Sequence, residues 1–514
     1  MSKTIIIIGA GLAGLSAALQ AAENGCNVKL VSFFPSERAQ SVMAEGGINA
    51  ALNTKDENDS PEEHFTDTIK AACGLADPNA VWGMTQAAPE LVHWLLKLGV
   101  KFNMSGYDDV DLRNFGGQKK KRTAFAQSDT GKQIMTAMID AVRRKEASGM
   151  VERFSHHSFL TLRLCDNICC GCVIRDEYSQ ETVELPGDAV IVATGGMHGL
   201  FGNTTGSLSN TGEVTAELFR LGVPLENGEM IQYHPTTVKC GGKRMLISEA
   251  ARGEGGRLFA MKDGKQWYFM EEKYPELGNL MPRDITAREI WKVSHESEVF
   301  LDMTEISDEI ISNKLSGLAD DCMTYLHKDI RKEPVSVLPG IHYFMGGILV
   351  DEQHRTPIQN LYAAGECCAQ YHGANRLGGN SLLGALYGGR VAAKSACEQA
   401  DVVDLSCATQ IDFPPASQIS EIKQLNKVMQ ETMGVVRNEN TLLNGIQTVQ
   451  ALTGNLPLLG MAVLKSALAR KESRGAHWRE DYPKSNDDDY LKTTVARFDG
   501  KQIQISFVPV PERR

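Results

Sequence analysis

Residues 5–23 read IIIIGAGLAGLSAALQAAE, and this stretch decides the fold. Four consecutive isoleucines suit a strand buried on both faces, as in a parallel sheet flanked by other layers. From Leu12 to Glu23 the apolar residues recur at helical spacing. Between strand and helix, Gly9, Gly11 and Gly14 allow a tight turn, close approach of backbone to a pyrophosphate, and a helix N-terminus whose free N–H groups face the phosphates. The spacing predicts the first unit of an α/β, doubly wound, Rossmann-like domain. The run from Thr4 to Ala22 imitates a secretory signal, but its glycines fit strand, turn and helix better than an unbroken apolar core. Nothing else approaches the ~18 apolar residues of a membrane helix, so no membrane span is expected.

Further along, the strand Asn27–Ser32 ends in Ser32, where such folds often place an acid against the ribose. From Phe154 to Leu185, β-branched and polar residues alternate around turn signals, as in a β-meander. DAVIVATGG at residues 188–196 and LYAAGE at 361–366 each run a buried strand into a glycine turn. Three returns to one nucleotide layer make the intervening segment an insertion. The expected organisation is an FAD-binding domain of residues 1–235 and 346–412, an α+β capping domain of residues 236–345, and a C-terminal helical domain of residues 413–514 that ends in a short strand. NAD, NADP and FAD all use the glycine turn. ATGG at Ala193, Thr194 and Gly195, with Glu366 placed to accept from ribose or ribityl hydroxyls, favours FAD.

The formal net charge of -11 disfavours nucleic acid and anionic membrane surfaces as partners, so an anionic substrate needs a local positive pocket. Cys165, Cys169, Cys170 and Cys172 lack the spacing of a zinc or iron-sulfur site and read as reduced thiols in a β-hairpin, in keeping with a cytoplasmic protein. No metal site is expected. The positive pocket is signalled by HYFMGGI at 342–348 and HGANRLGGNSLLGALYGGR at 372–390, which set His342 and Arg376 among glycines.

The motifs GAGLAG, AEGGINAAL, FGG, SDTG, ATGG, QYHPT, SEAARGEGG, PRD, HYFMGG, AAGE, HGANRLGGNSL and SRGAHWREDYP follow one another between residue 3 and about residue 483. In that order they resemble the flavoprotein subunits of succinate dehydrogenase and fumarate reductase, with the L-aspartate oxidases as near relatives. The resemblance implies that His234 and Ser248 hold one carboxylate of fumarate or succinate, and that His342 and Arg376 hold the other. It implies hydride transfer from flavin N5, a proton from Arg283 in the PRD motif, and Glu249 and Arg252 as the relay that restores that proton. FAD contacts are expected from Gly9, Gly11, Gly14, Ser32, Gln40, Ser41, Gly46, Gly47, Ala193, Thr194, Gly195, Glu213, Glu366, Ser381 and Leu382.

Departures from the family pattern refine these expectations. Phe115 stands where aspartate oxidases carry a glutamate for the substrate ammonium, which argues against an amino acid substrate. Gln40 stands where membrane-bound members carry the histidine that bonds to FAD, so the flavin is expected to be noncovalent and the chain to favour fumarate reduction. Glu213, Thr237 and Phe344 replace the more frequent Asp, Gly and Thr. With no iron-sulfur ligands of its own, the chain is expected to draw electrons from an iron-sulfur subunit with a membrane anchor, or from a soluble donor such as reduced flavin. Its expected place is the cytoplasm or, through partners, the cytoplasmic face of the inner membrane. The rivals are an L-aspartate oxidase, a reductase of another unsaturated carboxylic acid, and an electron-transfer subunit without turnover of its own.

Overall fold

Thr4–Ile8 is the central strand of a five-stranded parallel sheet, ordered Leu361–Ala363, Ala189–Val192, Thr4–Ile8, Asn27–Ser32, Val151–Ser155. The computed structural model describes residues 2–106, 109–401, 411, 413 and 418–514. Side chains alternate across a strand. Ile5 and Ile7 therefore pack into a helical layer containing Leu12–Glu23 and Asn380–Gln399, while Ile6 and Ile8 pack against Leu162, Cys172 and Ile174 on the other face. That second face is covered by the antiparallel meander His157–Cys165, Ile168–Asp176, Thr182–Pro186. Cys169, Cys170 and Cys172 are buried free thiols in it. Cys165 departs from the expected reduced cluster, being disulfide-bonded.

The chain leaves the nucleotide layer after Val192 and returns at Leu361. Between these points, Ile231–Cys240 pairs antiparallel with Leu338–Phe344 and with Lys243–Leu246. These strands carry His234 out and His342 back, so the two histidines meet at one end of the insertion. Beyond them lies a second antiparallel sheet, ordered Lys265–Trp267, Arg257–Lys262, Val299–Asp302, Val335–Ser336, with the helix Arg283–Val293 nearby in sequence. The insertion has an apolar core of its own, including Leu258, Ile290, Leu301 and Leu318, and Phe115 joins it from the nucleotide-binding part.

The helices Ile419–Thr432, Glu439–Val449 and Asn455–Ala469 pack on Leu200, Phe201 and Phe219. Where the sequence suggested one final strand there are two, Lys492–Phe498 and Ile503–Pro509, which extend a sheet through Leu225–Glu226 to Gly347–Ile348. The C-terminal segment thus closes back on Leu225–Glu226, which precedes the insertion and carries Gly347–Ile348 on its other edge. The expected boundary at residue 412 lies outside the described residues.

Candidate active site

A cavity of about 930 Å³ opens at the C-terminal ends of the parallel strands and runs beneath the insertion. Ile8, Ser32, Ala193 and Ala364 mark its floor, which is where an open α/β sheet places its ligand. At one end the chain offers backbone and little else. Gly9 has φ +112, and a Cβ there would sit 2.3 Å from the Ala193 carbonyl oxygen. A Cβ on Gly14 would sit 1.8 Å from the Gly9 carbonyl oxygen. The helix Leu12–Glu23 therefore starts hard against the turn, and its N-cap Gly11 supplies no side-chain cap.

A second helix, Asn380–Gln399, also starts at this cavity behind an uncapped glycine, Gly379 at φ +85. Leu12 N–H donates to Ser41 Oγ at 3.3 Å and Asn380 N–H to the Leu377 carbonyl at 3.3 Å, and the remaining first-turn N–H groups of the two helices suit the paired negative charges of a pyrophosphate. These glycine cradles fit FAD. Of the residues expected to touch it, Gly9, Gly11, Ser32, Gln40, Ser41, Gly46, Gly47, Ala193, Thr194, Gly195, Glu213, Glu366, Ser381 and Leu382 line the cavity. Gly14 lies beneath the lining and serves the close packing of turn and helix.

At the other end the lining turns cationic. His234, Ser248, Glu249, Arg283, His342, Arg376 and Phe115 share this wall. The His234 and His342 rings stand edge to face with centroids 5.2 Å apart. Each has Nδ1 engaged, at 3.1 Å from the Thr236 carbonyl oxygen and 2.8 Å from Thr205 Oγ1 respectively, which leaves Nε2 of both rings for a ligand. The Arg376 guanidinium lies over the Tyr343 ring at 4.4 Å, and its buried Nε has no hydrogen-bond partner among the described residues. Burial holds both histidines well below their ordinary pKa, and the nearby Arg283 charge adds to this. Burial and then Arg283 bring Arg376 down to about 9. With Arg283 paired to Glu249, the buried Arg376 cation between neutral imidazoles makes this wall suited to an anion.

Arg283 is anchored rather than free. Its Nε and Nη2 donate to Glu249 Oε2 at 2.8 and 2.5 Å, and its Nη1 donates to Gln232 Oε1 at 3.1 Å. Glu249 Oε1 accepts the Gly116 N–H at 2.9 Å and lies 3.5 Å from Arg252 Nη2. Burial alone would raise the Glu249 carboxyl, but the Arg283 and Arg252 charges hold it below its usual value. Arg252 does not line the cavity. It stands behind Glu249 and donates to the Asn279 carbonyl at 2.6 Å. Glu249, Arg283 and Arg252 thus form a line leading away from the cavity.

Several participants carried no signal of their own. Gln232 donates to Asn375 Oδ1 at 3.0 Å and to the Arg376 carbonyl at 2.8 Å, tying the strand that bears His234 to the loop that bears Arg376. Its place two residues before His234 in QYHPT was the one available clue. Glu45, in AEGG, lines the cavity with its carboxyl pushed up to about 8 by burial and then by Asp321. Phe115 is closed to solvent, and its ring would meet a Cβ on Gly46 at 2.8 Å, so it forms an apolar wall. Thr237 accepts from Arg244 Nε at 2.5 Å, and Phe344 packs on His198 and Phe201. Among the described residues, no group of His, Cys, Asp or Glu could hold a metal ion, and no helix is long and apolar enough to cross a membrane.

A family model described as FAD binding domain matches residues 4–382, and one described as fumarate reductase flavoprotein C-term matches residues 452–513. The succinate dehydrogenase flavoprotein subunit of Bacillus subtilis is 38% identical over an alignment covering 100% of this chain and 98% of the relative. The 8-methylmenaquinol:fumarate reductase flavoprotein subunit of Wolinella succinogenes is 32% identical, with 100% of this chain and 92% of the relative covered. Among solved structures, an E. coli quinol fumarate reductase flavoprotein superposes with a TM-score of 0.89 at 27% identity, covering 99% of this chain and 97% of that one.

Proposed function

The chain belongs to the flavoprotein family of succinate dehydrogenases and fumarate reductases and is an FAD-dependent oxidoreductase, and on that premise we propose that it reduces fumarate to succinate with a noncovalently held FAD. The observation that carries the proposal is the Arg283–Glu249 pair on a wall shared with His234, Ser248, His342 and Arg376. Bound FAD supplies the hydride. Arg376 and His342 take one carboxylate of fumarate and His234 and Ser248 the other, each charge-assisted bond contributing roughly 1.5–3 kcal/mol. Held at unequal angles, the carboxylates polarise the double bond between them.

As one alkene carbon accepts the hydride, the other gains carbanion character, and Arg283 gives it a proton to complete succinate. Arginine is a very weak acid, with a pKa above about 12. The step therefore needs a strongly basic carbanion and prompt replacement of the proton. Glu249, bonded through one oxygen to two Arg283 nitrogens, with Arg252 behind it, supports that replacement. Positioned proton transfer of this kind contributes about a hundredfold to ten-thousandfold in rate.

Gln40 supports the noncovalent flavin, since an amide cannot form the link that the family's histidine makes, and in this family that link goes with succinate oxidation. Succinate oxidation is the second reading, favoured by the 38% identity to the Bacillus enzyme subunit. An L-aspartate oxidase is disfavoured by the apolar Phe115. The relatives' description as subunits supports electron entry through a partner subunit; we take that partner to be an iron-sulfur protein with a membrane anchor, which would hold the chain at the cytoplasmic face of the membrane. A soluble donor is the alternative.

The deciding experiment compares three initial rates on one preparation: fumarate with reduced viologen, succinate with an artificial electron acceptor, and aspartate with peroxide detection. Fumarate should be the fastest. A faster succinate rate would reverse the direction, and peroxide from aspartate would replace the substrate.

A further inference from the structure

His198 is fully buried in the turn after ATGG and does not line the cavity, so neither clamp uses it. Its Nδ1 lies 3.1 Å from Thr204 Oγ1, and that oxygen also accepts the Gly206 N–H at 3.2 Å. The Thr204 hydroxyl proton then has Nδ1 as its partner, which puts the imidazole proton on Nε2. Nε2 faces Glu366 Oε1 at 3.5 Å and has no hydrogen-bond partner among the described residues. The same Oε1 accepts the Phe344 N–H at 3.1 Å.

The ring has little room to turn away. The Phe344 ring meets it edge to face at 5.0 Å, and a Cβ on Gly206 would come within 2.2 Å of it. The neighbouring Thr205 does for His342, at the dicarboxylate end, what Thr204 does for His198: consecutive hydroxyls fix the Nδ1 atoms of both rings.

We propose that His198 is a positioning residue for the cofactor: its Nε2–H and the Phe344 N–H together hold Glu366 Oε1, so that Oε2 is kept for the hydroxyl groups of FAD. The proposal rests on a noncovalent FAD. It also gives Phe344 a use, since the ring that replaces the frequent threonine walls in the imidazole.

The test is flavin affinity. Protein stripped of flavin is titrated with FAD by fluorescence quenching, for wild type, His198→Ala, His198→Gln and Thr204→Val, each with circular dichroism to confirm the fold. His198→Ala should weaken FAD binding about tenfold, through loss of the Nε2–H that faces the Glu366 carboxylate at 3.5 Å. His198→Gln, which keeps an N–H donor, should recover most of that loss, and Thr204→Val should show part of it. In a Glu366→Ala background, which removes the acceptor, His198→Ala should change the FAD dissociation constant less than about twofold, a silence that a packing role would not produce.

An unchanged affinity in both Thr204→Val and His198→Ala would overturn the proposal. So would a full tenfold loss from His198→Ala in the Glu366→Ala background. If His198→Ala does not fold, the Thr204→Val titration decides alone. Flavin that stays with acid-denatured protein would remove the premise, and that is seen before any variant is compared.

Discussion

Arg283 Nη2 lies 2.5 Å from Glu249 Oε2, and both side chains are almost closed to solvent. Two functions could put them there. As a mere buried ion pair, they would make any change to Glu249 a folding defect, because Arg283 and Arg252 would lose their counter-charge. As a proton relay, they would let Glu249→Asp fold but fail in turnover, since the shorter acid keeps the charge and loses the reach. Glu249→Asp should therefore lower kcat for fumarate by about a hundredfold, within the range of positioned proton transfer. Its melting temperature, read by calorimetry, should stay within about 2 °C of wild type, a shift worth roughly 2 kcal/mol in a chain of 514 residues. A stable, fully active Glu249→Asp protein would remove Glu249 from the relay.

Arg376 gives a pH signature for substrate binding. Buried beside Arg283, it is brought down to about 9 from the ordinary guanidinium value. The cation is the form that binds a carboxylate, so KM for fumarate should be flat below that pH and rise about tenfold per unit above it. Arg376→Lys keeps a charge but loses the planar fork, and should raise KM by roughly tenfold or more at neutral pH. Initial rates between pH 6 and 10 with reduced viologen measure both.

The reach of the sequence differs between backbone and side chain. GAGLAG, ATGG and LYAAGE are local: a strand running into glycine looks the same wherever it falls, and those segments did assemble into one parallel sheet. The clamp residues were legible only through the family motifs, because His234 and Arg376 are 142 residues apart and nothing in either segment points to the other. Gln232, which bonds to the Arg376 carbonyl, and Thr205, which orients His342, stayed invisible for that reason. The single final strand expected from the sequence is a hairpin of two, Lys492–Phe498 and Ile503–Pro509, and the second alternates half-buried Ile503, Ile505 and Phe507 with exposed Gln504 and Ser506.

His64 sets a stability trend on the acid side. It is buried, with Nε2 2.9 Å from Asn380 Oδ1, and burial, followed by the Arg122 charge, lowers its pKa to about 3. In the unfolded chain it titrates near 6.5. Below that pH the unfolded state binds a proton that the native state refuses, so stability is whole above about 6.5 and is lost as pH falls toward 3. The full loss is on the order of 4–5 kcal/mol at 1.36 kcal/mol per unit. His64→Gln, whose amide can still donate to Asn380, should flatten the pH dependence of urea midpoints between pH 6.5 and 4. An unaltered slope would place the acid sensitivity elsewhere.

Glu45 sets the opposite trend. Its Oε2 is buried with no hydrogen-bond partner among the described residues, and burial, with the Asp321 charge added, raises its pKa to about 8. An unfolded glutamate titrates near 4.3, so between there and 8 the native state holds a proton that the unfolded state has released. Stability from this group is whole below about 4.3 and falls as pH rises to 8, which at pH 7 is a cost of roughly 3 kcal/mol. Glu45→Gln removes the titration while keeping shape and hydrogen-bonding capacity. The flavin-free variant should therefore be more stable than wild type at pH 7 to 8, with the difference shrinking as pH approaches 5. Denaturant titrations at pH 5, 7 and 8 check this, and a gain that is constant with pH would show that Glu45 does not carry the proton.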